Sequence, residues 1–126
     1  MSNVDIAKKA YEAFGRGDMA NLGFAEDIVW VTSDELPLGG ETRGRDAVIA
    51  NFTQIPNYWS EFAVIPERFI DGGDTVVVTG TQKATGKGGK FEAPFVHILE
   101  IRDGEAVRGE FYSDSAKALK AMGDVD

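Results

Sequence analysis

The chain holds a single histidine, set in "APFVHILEI", residues 93–101. It holds no cysteine, so thiol nucleophiles, disulfides and thiolate metal sites are excluded. One histidine falls short of the usual zinc ligand set; carboxylate sites for magnesium or calcium stay open, and no residue is assigned to a metal. Acid–base chemistry therefore rests on His97, on carboxylates and on phenols. A positioned imidazole contributes on the order of 10²–10⁴ in rate. Alternation along a strand puts Phe95, His97, Leu99 and Ile101 on one face and Val96, Ile98 and Glu100 on the other. If His97 faces a pocket it is the natural base. If it faces outward it belongs to a dimer interface or lies under a covering element.

Two carboxylates lie on or just past the last apolar segment, Glu110 and Asp114 in "GEFYSDSAKAL". Asp114 reads as an acid or base at a pocket rim, or as the N-cap of the last helix, a role contributing about 1 kcal/mol. Asp27 reads as a structural acid beside Arg43 or Arg45. Binding chemistry comes from hydroxyls and aromatics. Trp30 and Thr32 share a strand face, Ser113 shares one with Phe111, and Tyr11 offers a phenol from the first helix. Tyr58 and Trp59 follow Pro56 and are placed to form a lid. Most other aromatics belong to the core.

The elements that must position these groups follow from periodicity. "NVDIAKKAYEAF" is an amphipathic helix with Ile6, Ala10, Ala13 and Phe14 on one stripe; Asn3 or Asp5 caps it and Gly15 and Gly17 end it. Asp18 caps a short second helix, "MANLGF". "DIVWVTS" is a strand, and Asp34 to Gly44 is a loop rich in Pro and Gly. "RDAVIANFTQI" has Ala47, Val48, Asn51 and Phe52 at helical spacing and stops at Pro56. Four apolar segments follow, joined by "DGGD", "GKGG" and "RDG", which is turn chemistry for antiparallel hairpins. "DSAKALKAM" closes the chain as a helix. Helices packed on one face of such a sheet give an α+β domain.

With 126 residues the chain suits one domain, 1–126. Against 13 basic residues stand 21 acidic ones, a net charge of −8. That argues against nucleic acid as a partner and against anionic membrane surfaces. The start, "MSNVDIAKKAYEAF", has no signal-peptide pattern, and no run approaches the roughly 20 apolar residues of a membrane span. The expected location is cytoplasmic.

Three stretches in this order, "AYEAFGRGDMANLGFAEDIVW", "GETRGRDAVIANF" and "FVHILEIRDGEAVRGEFYSDSAKAL", resemble the nuclear transport factor 2-like superfamily, in its ketosteroid-isomerase and SnoaL-type cyclase branch. The resemblance implies a cone-shaped, cystatin-like α+β fold. In it a curved antiparallel sheet wraps the N-terminal helices around an apolar pocket, and the chain forms a homodimer through the sheet's outer face. It also implies where catalytic groups should fall. The isomerase tyrosine falls on Ala10, its base on Thr32 and its oxyanion acid on Val96, so all three groups are missing. The carboxylate on the last strand of the cyclases and hydrolases falls on Phe111, or on Glu110 after a one-residue shift. This carry-over points Val96 and Ile98 into the pocket and His97 outward; a bulge near Pro94 would reverse it. The implied function is a pocket for a small apolar molecule. It belongs either to a cofactor-free isomerase or cyclase moving protons next to a carbonyl, or to a non-catalytic binder or dimeric scaffold. The enzyme's candidate groups are His97, Asp114 and Glu110.

Overall fold

A computed structural model describes residues 2–123 of the chain. Helix α1 spans Asn3–Gly15. Ser2 caps it: its hydroxyl accepts the Asp5 N–H, and the Asp5 carboxylate accepts the Ser2 N–H, a reciprocal capping box. The second helix shrinks to one 3₁₀ turn, Met19–Asn21. Strand β1, Phe24–Thr32, follows.

The segment 34–44, expected to be all loop, contains a short strand β2, Gly40–Arg43. It pairs antiparallel with Val29–Thr32. Four mostly polar residues carry no period-2 signal; the β1 edge supplies the order. Helix α2, Arg45–Thr53, buries Val48. The four apolar segments form strands β3 (Glu61–Gly72), β4 (Thr75–Gly86), β5 (Gly89–Arg102) and β6 (Glu105–Tyr112). Helix α3, Ser115–Met122, ends the described chain.

The six strands make one sheet in the order β2-β1-β6-β5-β4-β3. All pairs are antiparallel except β1–β6, which is parallel. A four-strand meander leaves β6 with a free edge, and the first strand fills it. The resulting α+β fold is the one expected, with a mixed rather than purely antiparallel sheet. Register shifts in β1, β3 and at the β5–β6 pair bend it. One apolar cluster joins α1 to the inner rows of β4 and β5; a second packs α3 against Trp59 and Phe91.

The "GKGG" tip between β4 and β5 holds α3. Gly88 N–H donates to the Ala121 carbonyl at 2.8 Å. A Cβ on Gly86 would sit 2.4 Å from that same oxygen, so only glycine allows this approach.

Candidate functional site

The inner row of β5 is Phe91, Ala93, Phe95, His97, Leu99 and Ile101, every member buried. The β4–β5 register runs without a break past Pro94, so strict alternation holds. Val96 is 41 % exposed and His97 is 7 % exposed. His97 therefore faces inward, and Val96 and Ile98 face outward, which reverses the placement implied by the family carry-over. The physical reason is in the row itself: its other five members are apolar, and a row of that composition belongs to the core.

His97 meets Tyr11 of α1: the phenol oxygen and the imidazole Nδ1 are 2.6 Å apart. Two neutral arrangements make this bond. The phenol donates to Nδ1 and Nε2 carries the ring proton, or Nδ1–H donates to the phenol oxygen and Nε2 is a bare acceptor. In both, Nε2 is buried with no hydrogen-bond partner among the described residues. Aromatic rings surround the imidazole. Trp30 lies edge-on at 5.0 Å between centroids, and Phe111 lies at 5.6 Å. Trp30 reaches this position because its partner across β1–β6 is Gly109; a Cβ there would lie 2.5 Å from the indole. The absent side chain makes the slot for the ring.

These residues line a cavity of about 380 Å³, within the usual size range for a small-molecule site. Its wall combines apolar side chains of α1, α2, α3 and the sheet with hydroxyl, amide and imidazole groups, and among the described residues no Asp, Glu, Lys or Arg lines it. Burial drives the charged forms out. It pushes the His97 imidazolium down from 6.5 to about 3 and raises the Tyr11 phenol above its ordinary range. Near neutral pH the pair is uncharged. It can donate or accept a hydrogen bond, but the ring has little affinity for a proton.

A second polar group stands on the same face. Gln82 in β4 is 6 % exposed and accepts from the Ser113 hydroxyl at 2.6 Å. Both line the cavity. Sequence reasoning passed over Gln82, yet alternation in "TVVVTGTQKAT" places it in the buried row with Val76, Val78 and Ala84.

Of the other sequence candidates, Tyr11, Trp30, Thr32, Trp59, Phe111 and Ser113 line the cavity. Tyr58 does not; it packs against the Trp59 cluster. Glu110 pairs with Arg108 at 3.2 Å opposite the outward-facing Ile98, away from the cavity. Asp114 caps α3, accepting from Lys117 N–H at 3.0 Å. Asp27 is exposed, and Arg43 instead pairs with Glu41 at 3.1 Å. Among the described residues no cluster of three or more His, Cys, Asp or Glu is placed to hold a metal. No helix among them is long and apolar enough to cross a membrane.

The SnoaL-like domain family matches residues 7–109, and the chain belongs to that family. Among solved structures it is similar to a nuclear transport factor 2-like protein of Burkholderia pseudomallei K96243, with 32% identity, TM-score 0.90, and coverage of 98% of this chain and 100% of that one. It is also similar to TerC, co-crystallised with polyporic acid, with 27% identity, TM-score 0.89, and coverage of 97% and 98%. IdmH of Streptomyces antibioticus, a proposed polyketide cyclase, shares the fold with 22% identity, TM-score 0.76, and coverage of 95% and 97%. No curated protein matches the chain significantly.

Proposed function

We propose that this chain binds one small, uncharged, largely apolar molecule inside the cone and holds a polar atom of it against the Tyr11–His97 pair. The observation that carries this reading is a wall without charged side chains among the described residues, whose imidazole is kept neutral by burial. Such a wall repays desolvation of an apolar guest and penalises an ion. The TerC complex with polyporic acid supports a small organic guest in this fold. Both tryptophans of the chain, Trp30 and Trp59, line the cavity, so intrinsic fluorescence reports occupancy. Titration with biphenyl is expected to quench it saturably at one guest per chain. Linear, non-saturating quenching would refute the reading.

A second reading, proton transfer next to a carbonyl, is favoured by the unpartnered Nε2 of His97 and by the likeness to a proposed cyclase. It predicts that the protein accelerates deuterium exchange at the α-carbon of 2-tetralone and that His97→Leu abolishes the acceleration. Binding without any acceleration leaves the binder reading alone.

We also propose a cytoplasmic homodimer formed through the outer sheet face, where Ile65 and Val96 are exposed and Ile98 stands beside them. Neither nucleic acid nor a membrane is proposed as a partner.

A further inference from the structure

The inner face of β4 and β5 is apolar except at two places, His97 and Gln82. Each is more than nine-tenths buried. Each is tied to a side chain from another part of the chain, Tyr11 in α1 and Ser113 after β6. Each keeps hydrogen-bonding capacity beyond that tie. His97 has an Nε2 without a partner among the described residues. Gln82 lines the cavity and uses its carbonyl on Ser113, a bond that does not engage the two donors of its amide N–H₂. A fold that needed only a dry core would leave both positions apolar, because a buried polar group costs stability unless it is satisfied.

The two stations are separated along the sheet. Gln82 is paired with Ala93, and Ser113 follows Tyr112, the partner of Val96. The second station therefore lies two to four residues along β5 from His97, roughly 7–13 Å at about 3.3 Å per residue. Ser113 and Tyr112 are exposed as well as lining the cavity, so this station sits toward the opening. At the Tyr11–His97 station neither member is exposed: His97 is buried and Tyr11 half-buried. The Phe111 ring, opposite His97 across β5–β6, faces the same cavity and is stacked on Phe95 at 5.1 Å.

From this arrangement we propose that the ligand is an elongated apolar molecule, aromatic in its body, with an oxygen at each end. One oxygen is held by Tyr11–His97 in the interior and the other by Gln82–Ser113 near the opening. This rests on the binding reading above and names the ligand class for it. Gln82 is then a specificity-determining residue.

The test uses three probes of one shape: biphenyl, 4-phenylphenol and 4,4′-dihydroxybiphenyl. Affinities are measured by calorimetry on the full chain. In the wild type each hydroxyl is expected to tighten binding about fivefold, the worth of one modest net hydrogen bond. In Gln82→Leu the gain from the second hydroxyl should vanish while the first is kept. In His97→Leu one hydroxyl's gain is lost and the Gln82 gain remains. Gln82→Met, which keeps the length of the side chain, checks the same loss should the leucine variant fold poorly. If the diol binds no tighter than the monophenol, or keeps its advantage in both Gln82 variants, the two-station inference is overturned though binding stands. If none of the three probes binds, the binding reading and this inference fall together.

Discussion

Burying an imidazole so deeply ties the fold to pH. Unfolded, His97 takes a proton near 6.5; folded, only near 3. Between these values the unfolded chain binds a proton that the folded chain refuses. Burial of His97 therefore adds no pH dependence above about 6.5 and destabilises the fold increasingly as pH falls toward 3, by up to about 1.4 kcal/mol per pH unit. The melting temperature of His97→Leu should depend less steeply on pH across that window than the wild type's. Equal slopes would show that the ring is hydrated in solution. Tyr11→Phe keeps the aromatic packing on Phe69 and Phe95 but leaves Nδ1 without its partner. Urea unfolding should register a loss of about 1–3 kcal/mol; no loss would mean that water replaces the phenol. His97's companions were legible in the alternation of its own strand. Its direction was not, because the family carry-over assigns Val96 to the pocket, and in a strand neighbouring residues face opposite ways. Gln82 was equally visible in β4, but a polar residue in an apolar row draws attention only once the row is known to be buried.

Among the elements, β6 and α3 carry the most specific consequences. Gly109→Val would force the indole of Trp30 off its slot. The variant is expected to keep its sheet signal in circular dichroism, shift its tryptophan emission and lose guest binding. Retained binding would mean that Trp30 is not part of the contact surface. Asp114→Ala removes the α3 cap, costing about 1 kcal/mol, with guest affinity unchanged. A tenfold fall in affinity, about 1.4 kcal/mol, would return this carboxylate to the site. The helices and the four-strand meander were readable because Gly, Pro and apolar spacing mark their ends and faces. Strand β2 was not, since "GETR" is ordered by the edge it pairs with. Nor was the parallel β1–β6 pairing, because local sequence pattern does not encode which distant edges meet. The same holds for the glycines of the hairpin tip, whose role depends on a carbonyl of α3.

For the molecule as a whole, the outer and inner faces of one sheet are assigned different work. Val96, moved by the structure from the pocket to the exterior, adds to the apolar outer face together with Ile98 and Ile65. Light scattering should find the wild type dimeric at micromolar concentration and the Val96→Asp, Ile98→Asp double variant monomeric, with binding of biphenyl retained. A monomeric wild type would remove the dimer. Inside the cone, a wall with no charged side chain among the described residues would behave as an organic phase in contact with water. An ionisable guest would be extracted into it in its neutral form and left outside as an anion, and the net charge of −8 would lower the anion's concentration nearby. The pH at which such a guest leaves would then be written in the guest's own pKa.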